Sequence, residues 1–262
     1  MRLETAILFI LPFFASCGET ANGQTAEQRM VPPHNAFKTI ADIPLPTGFK
    51  RIVAAPGAFT VWLRTLPLKK DKTVYLYNGD RKKNQSAQFA VIDISVGTKD
   101  LQQCADAVMR MRAEYLYSQQ RFAEIDFTDN NQHHYRIPAN AGRNEFDQYL
   151  EQVFSRCGTL SLSRQLDAVN DFTGIEPGDV LIKGGSPGHA MMVVDVAVDS
   201  SGRKVYLLAQ SYMPAQDIHI VVNPANSALS PWYEVKDSFI PTPEWGFETS
   251  QLKKWPAPNG LK

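Results

Sequence analysis

The strongest indication of the fold is the stretch Pro177-Gly178-Asp179-Val180-Leu181-Ile182, followed after a short loop by Pro187-Gly188-His189-Ala190-Met191-Met192-Val193-Val194-Asp195. Each half begins with a Pro-Gly turn and continues as an apolar run, which is the pattern of two buried strands. His189 stands at the start of the second strand. A histidine in this position can exchange a proton with a neighbouring side chain.

A helix with a cysteine in its first turns is predicted upstream, over residues 101–119. Asp100 is placed to cap this helix while Gln103 reaches back, at the spacing of a capping box. Unpaired amides and the helix dipole favour a thiolate over a thiol at a helix start. Cys104 is therefore a candidate nucleophile, and an inert thiol on the apolar face of the helix is the alternative.

The order of the remaining predicted elements indicates the fold class. We predict helices over 58–66, 144–154 and 161–166, and strands over 73–77, 89–94, 179–183, 189–198, 205–211 and 219–222. A turn at 199–202 joins two of the last strands. Helices in the first part of the chain and antiparallel strands in the last third predict an α+β domain.

The N-terminus has the features of an export signal. Met1-Arg2-Leu3 carries a basic residue, and the apolar run over 6–14 is too short to span a bilayer as a mature helix. The run ends in Phe14-Ala15-Ser16-Cys17-Gly18, which resembles a bacterial lipobox. Residues 1–17 are therefore predicted to be a lipoprotein signal peptide with a lipidated Cys17, and an ordinary secretory signal is the alternative.

The mature chain is predicted to consist of a tether and one domain. Residues 18–42 are small and polar and read as a flexible tether, and 43–262 is long enough for one domain with a sizeable core. The domain is expected to end in an extended C-terminal wrap, although an exposed row of aromatic side chains that binds glycan is the alternative. The aromatic residues of the wrap are Trp232, Tyr233, Trp245, Phe247 and Trp255.

The lipobox places the protein in the cell envelope, anchored to the membrane through its lipid only. No aspartate follows Cys17 directly. By resemblance to bacterial lipoprotein sorting, this favours transport to the outer membrane, facing the periplasm or the cell surface.

Charge and cysteine content limit the class of function. The chain has 27 basic and 27 acidic side chains and a formal net charge of zero, so no basic field indicates nucleic-acid binding. Two of the three cysteines, Cys104 and Cys157, lie in the mature body. In an oxidising compartment these two side chains can form a disulfide, which is the main alternative to a catalytic thiol.

Polar residues elsewhere in the chain are candidates for chemistry with Cys104. His189 is the expected general base, and Gln210 on the next strand is the expected group that orients its imidazole. The Cys104 amide and the Gln103 side chain are placed to hold an oxyanion. Asp195 is a poorer choice than Gln210, since it lies roughly 20 Å along the same strand from His189. A loop histidine that bonds to backbone is the alternative role of His189.

The sequence contains no metal or cofactor motif that we can interpret. His133-His134 follows Asp129-Asn130-Asn131, and neither a flanking cysteine nor an HExxH spacing accompanies the pair. We expect these histidines in a solvated turn. Neither a metal nor a cofactor is predicted.

Four segments carry a family resemblance: Gln103-Cys104-Ala105-Asp106-Ala107-Val108-Met109-Arg110-Met111-Arg112-Ala113-Glu114-Tyr115-Leu116-Tyr117, Pro187-Gly188-His189-Ala190, Ala209-Gln210-Ser211-Tyr212-Met213-Pro214-Ala215-Gln216 and Ser230-Pro231-Trp232-Tyr233. They resemble an uncharacterised family of bacterial lipoproteins, a domain of unknown function typical of Bacteroidetes. The resemblance covers nearly the whole mature chain. It implies an exported lipoprotein and brings no established activity.

A more distant resemblance starts from Pro177-Gly178-Asp179-Val180 and the later Gly188-His189. This order is similar to the NlpC and CHAP cell-wall hydrolases, which implies a papain-like fold with the cysteine helix packed on an antiparallel sheet. It implies Cys104 as nucleophile, His189 as base and Gln210 as orienting residue. The chain departs from that pattern, because the insertion between the cysteine and the Gly-Asp strand is long and no Asp-Cys-Ser motif is present.

These observations lead to a first hypothesis and two alternatives. The first is a lipid-anchored cysteine hydrolase that cleaves an amide bond in an envelope peptide or a peptidoglycan fragment. The second is a non-catalytic binding or assembly lipoprotein on the same scaffold, which a disulfide between Cys104 and Cys157 would favour. The third is a transglutaminase-like acyl transferase, which needs an aspartate beside His189, and Asp217 is the candidate.

Overall fold

The computed structural model describes residues 34–236 and 238–257. This part of the chain contains four α-helices: α1 (Phe59–Thr65), α2 (Cys104–Ser118), α3 (Arg143–Arg156) and α4 (Thr159–Gln165). Its strands are β1 (Lys50–Arg51), β2 (Gln88–Val91), β3 (Asp126–Thr128), β4 (His134–Arg136), β5 (Asp167–Ala168), β6 (Val180–Lys183), β7 (His189–Val198), β8 (Lys204–Gln210), β9 (His219–Val221), β10 (Tyr233–Glu234), β11 (Phe239–Pro241), β12 (Gly246–Glu248) and β13 (Leu252–Lys254).

A nine-stranded antiparallel sheet forms the centre of the described structure. Seven of its strands follow the order β2-β9-β8-β7-β6-β13-β5, while β1 pairs with β7 and β10 pairs with β8. The pairs β11-β12 and β3-β4 form two small separate ribbons. The predicted α+β class with an antiparallel sheet is confirmed.

The longest strand, β7, is buried on both faces, which explains its continuous apolar sequence. Successive side chains of a strand point to opposite faces. Ala190 and Met192 belong to the core shared with the helices, whereas Met191 and Val193 belong to a second core beneath the C-terminal strands. Helix α2 packs directly on this strand. Each face of β7 therefore contributes side chains to one of the two hydrophobic cores.

The C-terminal segment covers the sheet face opposite the helices. Leu252 pairs with Leu181 of β6, and Phe247 and Ile240 are buried in the second core. Trp255 donates its indole N–H to the Gly178 carbonyl oxygen at 3.1 Å. The segment predicted to wrap the domain thus contributes a sheet strand and core side chains.

The turn before β6 needs a glycine. Gly178 has φ +99°, and a Cβ at this position would lie 2.7 Å from Cδ1 of Phe59. Both features exclude a larger side chain without rearrangement. The Gly178 amide donates to the Val193 carbonyl at 2.7 Å, and the Val193 amide donates to the Asp179 carbonyl at 2.9 Å. The Pro-Gly-Asp stretch thereby sets the register between β6 and β7.

Several predicted boundaries need correction. Helix α2 begins at Cys104 rather than at residue 101. Residues 73–77 do not form a ladder strand; Tyr75 and Leu76 make isolated bridges to Arg81 and Gln216. Residues 34–42, assigned to the tether from sequence, belong to the folded body, since Ile40 is fully buried in the core.

The predicted signal peptide and Cys17 lie outside the described residues. Within 34–236 and 238–257, no helix has both the length and the apolar character needed to cross a bilayer.

Candidate active site

A cavity of about 480 Å³ lies where the start of α2 meets the start of β7. The end of α3, the start of α4, the loop before β7, the residues after β8 and Trp245 complete its walls. The lining side chains used below are Gln103, Cys104, Asp106, Cys157, His189, Tyr212, Met213 and Trp245. Three of the four residues predicted from sequence to act in catalysis therefore border one cavity, and the fourth, Gln210, lies directly behind His189.

Cys104 is the first residue of α2, and Gln103 is its N-cap. The Gln103 amide donates to Oδ2 of Asp106 at 3.0 Å, so Asp106 caps the helix. The prediction that Asp100 is the cap is wrong, because the competing carboxylate three residues after Gln103 takes that role. The Gln103 side chain does reach back, donating from Nε2 to Oδ1 of Asp100 at 3.1 Å.

The thiol of Cys104 is held in its neutral form. The residue is 7 % exposed, and burial, followed by the charge of Asp106, raises its pKa to about 11. Backbone N–H groups of Ala105, Ala190 and Cys104 act in the opposite direction. The sequence-based expectation of a thiolate at the helix start is therefore not met, because desolvation outweighs the unpaired helix amides.

The imidazole of His189 is enclosed by aromatic rings. Its centroid lies 4.9 Å from the ring of Tyr212, 5.5 Å from Trp245 and 5.9 Å from Phe247. Burial lowers the pKa of His189 to about 4, although the hydrogen bond with Gln210 acts to raise it. At neutral pH the ring is thus uncharged and can accept a proton.

Hydrogen bonds behind the ring fix which nitrogen of His189 accepts that proton. Nε2 of Gln210 donates to Oε2 of Glu244 at 2.9 Å, and a carboxylate oxygen only accepts. Oε1 of Gln210 therefore faces His189, whose Nε2 lies 2.7 Å away. An amide oxygen also only accepts, so Nε2 of His189 carries the hydrogen. Nδ1 is left as the basic nitrogen.

A second histidine extends this network. Nδ1 of His219 lies 2.9 Å from the Asp217 carbonyl oxygen and must donate to it. Nε2 of His219 then accepts from Nε2 of Gln210 at 3.2 Å. Lys82 closes the network with a 2.6 Å ion pair to Glu244. Gln210 is thus held by three side chains, and its amide cannot flip without breaking two hydrogen bonds.

Cys104 and His189 share the cavity but do not form a hydrogen bond within the described structure. The thiol instead contacts the amide of Ala190, the residue that follows the histidine. Catalytic hydrogen bonds are often long without substrate and shorten in the reacting complex. The two groups border one cavity, and the geometry of the reacting complex decides whether they come into contact.

Two buried polar atoms in the cavity have no hydrogen-bond partner among the described residues. They are Oδ1 of Asp106 and Nε1 of Trp245. Buried polar groups in folded proteins are nearly always paired. Both atoms belong to residues that line the cavity, so one acceptor and one donor at its wall lack a partner among the described residues.

The aspartates considered as alternatives have structural roles. Asp195 accepts from Nε of Arg51 at 2.6 Å and from Nε of Arg64 at 2.7 Å. Asp217 pairs with Nζ of Lys69 at 2.8 Å and does not contact His189. The feature needed by the transglutaminase-like alternative is therefore not formed by Asp217.

Cys157 and the histidine pair complete the set of residues singled out from sequence. Cys104 and Cys157 are both free thiols, and burial raises the pKa of Cys157 to about 12. Nδ1 of His134 lies 2.8 Å from Oδ2 of Asp126 on an exposed ribbon, away from the cavity. No group of three or more metal-binding side chains occurs among the described residues.

Sequence reasoning missed several side chains of the site. Tyr212 and Trp245 border the cavity, His219 and Glu244 bond to Gln210, and Lys82 pairs with Glu244. The signal for His219 was present, since it lies on the strand beside Gln210. Nothing in the sequence separates Lys82 or Glu244 from ordinary surface charges.

A family model described as Domain of unknown function (4846) matches residues 40–140 and 128–254. Together the matches cover most of the chain. The chain belongs to this family. The resemblance to an uncharacterised family is thereby confirmed. The first match includes Cys104, and the second includes His189, Gln210 and Glu244. No curated protein and no solved structure matches the chain.

Proposed function

We propose that this protein is a cysteine hydrolase that cleaves an amide bond. One observation carries the proposal: Cys104 at the start of α2 and His189 at the start of β7 border the same cavity, and Gln210 holds the imidazole with Nδ1 as the basic nitrogen. A helix-borne thiol, a strand-borne imidazole and an orienting amide are the parts of papain-like catalysis. The packing of α2 on an antiparallel sheet supports a papain-like fold.

The reaction follows from these positions. Sγ of Cys104 attacks the amide carbonyl carbon while its proton moves to Nδ1 of His189. The carbonyl oxygen becomes an oxyanion, held by the Cys104 amide and the Gln103 side chain. The C–N bond then breaks, and Nδ1 returns the proton to the leaving amine. Water hydrolyses the resulting thioester with His189 as the base, which releases the acid and restores the thiol.

The neutral state of Cys104 and His189 before reaction determines when the proton moves. A raised thiol pKa and a lowered imidazole pKa both oppose a preformed thiolate-imidazolium pair. Proton transfer therefore accompanies attack rather than preceding it. The unpartnered polar atoms of Asp106 and Trp245 belong to residues that line the same cavity, which supports a polar substrate there.

The substrate is proposed to be an envelope peptide, such as a peptide of peptidoglycan. The lipobox-like segment ending at Cys17 supports an exported protein, lipid-anchored at the outer membrane. The cavity volume of about 480 Å³ suits a few residues of peptide.

Replacing the nucleophile tests the proposal. Cys104→Ala is expected to abolish release of new amino groups from peptidoglycan peptides, whereas Cys157→Ala, which alters the other thiol of the same cavity, is expected to retain activity. Liquid chromatography of the digest measures cleavage, and circular dichroism checks the fold. Wild-type activity in Cys104→Ala would exclude the mechanism.

The burial of Cys104 favours one other candidate function, a binding protein that retains the cavity for an envelope peptide. In that case neither the wild type nor any variant cleaves, and peptide binding by wild type and Cys104→Ala is equal. The same digest, followed by calorimetric titration of the two proteins, separates the two functions.

A further inference from the structure

A groove adjoins the proposed catalytic cavity on the far side of Tyr212 and Met213. Both residues line the cavity and the groove, so the two are direct neighbours, and the groove has a volume of about 690 Å³. Met213 is 62 % exposed at the junction. A chain bound across Cys104 and His189 can therefore extend into the groove.

Two cations of the groove have no carboxylate partner among the described residues. Arg81 and Lys83 are exposed and form no ion pair there. The groove also contains the carboxylates of Glu244 and Asp80, but Glu244 is paired with Lys82, and Asp80 accepts a 2.7 Å bond from Asn78. The net charge of the lining is positive.

A buried donor lies beside these cations. Gln216 is 1 % exposed, and its Nε2 has no hydrogen-bond partner among the described residues. The bridges from Tyr75 to Arg81 and from Leu76 to Gln216 place the amide next to the turn that carries the cations. Leaving a buried donor unpaired is costly, so an acceptor from a ligand would complete this site.

We propose that this groove binds a carboxylate of the substrate. The buried Gln216 amide would donate one hydrogen bond, and Arg81 can donate two in the parallel geometry that guanidinium and carboxylate share. Lys83 adds a second charge. The inference rests on the proposed function, because it concerns the substrate proposed there. It describes that substrate as an acidic peptide whose carboxylate lies beyond Tyr212.

Binding of matched peptides tests this inference. The probes are acetyl-Ala-Glu amide and acetyl-Ala-Gln amide, which differ only in one charge, titrated calorimetrically into Cys104→Ala. We expect the glutamate peptide to bind about tenfold more tightly, as hydrogen bonds to a charged group predict. Arg81→Gln and Gln216→Met should each remove most of this preference.

The control removes the same charge elsewhere. Lys50 is exposed on β1, remote from the groove, and Lys50→Gln should leave the preference unchanged. Equal binding of both peptides by Cys104→Ala, or an equal loss in Lys50→Gln and Arg81→Gln, would overturn the proposal. Because binding is measured without the thiol, the result does not depend on whether the protein hydrolyses anything.

Discussion

At the scale of single residues, the two buried histidines carry their hydrogens on different nitrogens. Gln210 lies between them and accepts from His189 while donating to His219. The carboxylate of Glu244 fixes the direction of the Gln210 amide and so decides both assignments. Orientation of the base is thus determined by a residue that forms no hydrogen bond with it in the described structure.

These tautomers can be observed directly. In ¹⁵N-histidine NMR spectra at pH 7, His189 is expected as the Nε2–H tautomer and His219 as the Nδ1–H tautomer, because their partners accept and donate in that order. Both rings should remain neutral, since burial lowers the pKa of His189 to about 4 and of His219 to about 3. Identical tautomers in the two rings would contradict the network.

The sequence predicted the contact between His189 and Gln210 because their strands are adjacent and the register brings strand ends together. For Cys104 it left two states open, an activated thiol and an inert thiol on the apolar face of the helix. Helix capping suggested an activated thiol, but the degree of burial depends on residues such as Ala190 and Tyr212 that reach the cysteine only in the folded chain. The apolar face of the helix indicated burial, but it could not show that desolvation outweighs the helix amides.

At the scale of elements, the turn into β6 combines a required glycine with a buried acid. Asp179 is 8 % exposed, and burial raises its pKa to about 7. Its Oδ2 accepts from the Glu176 amide at 2.9 Å, which opposes the shift. The carboxyl group shapes the turn, but its charge is unfavourable there.

The charge of Asp179 should make stability depend on pH. The folded state keeps this proton to about pH 7, whereas the unfolded chain loses it near pH 3.8. The contribution to the free energy of unfolding therefore falls as pH rises between these values. Asp179→Asn keeps the acceptor for Glu176 and should be more stable than wild type at pH 8 by roughly 2–4 kcal/mol, with no gain near pH 4.

Urea denaturation at pH 4 and pH 8 measures this difference. Asp167→Asn, at an exposed position of β5, controls for the loss of one negative charge. A gain from Asp179→Asn that is the same at both pH values would refute the assignment.

Element prediction succeeded where apolar patterns were long. The bounds of β7 agree with the prediction because its buried run starts at a Pro-Gly turn and ends before a polar one. The predicted strand over 73–77 failed despite its aromatic and β-branched residues, because its neighbours offer single bridges instead of a ladder. Propensity describes how well a residue suits an extended conformation, but a strand forms only where a neighbouring segment pairs with it.

At the scale of the whole molecule, the site is assembled from distant parts of the chain. Lys82 and Glu244 are 162 residues apart, yet their ion pair is 7 % and 14 % exposed at the two side chains. Both side chains of the pair line the groove, and Glu244 also accepts the hydrogen bond that holds the Gln210 amide in place. Its residues look ordinary in the sequence because long-range pairing leaves no local pattern.

Removing one partner of this pair should destabilise the protein. Glu244→Gln leaves a buried ammonium group without its carboxylate and is expected to lower the free energy of unfolding by about 3 kcal/mol. Adding Lys82→Met removes the unpaired buried charge and should recover most of the lost free energy of unfolding. Urea denaturation of the single and double variants measures both effects, and a double variant no more stable than Glu244→Gln would contradict this account.

The order of the site residues along the chain, with Glu244 after Cys104, His189 and Gln210, determines when the site can form during synthesis. A ribosome that has completed β9 has already made Cys104, His189 and Gln210, but not the carboxylate that sets the amide or the rings of Trp245 and Phe247 that enclose the imidazole. A chain that ends before Glu244 carries the Cys104 thiol without the ordered base. Any activity of this arrangement therefore requires a chain that extends past Phe247.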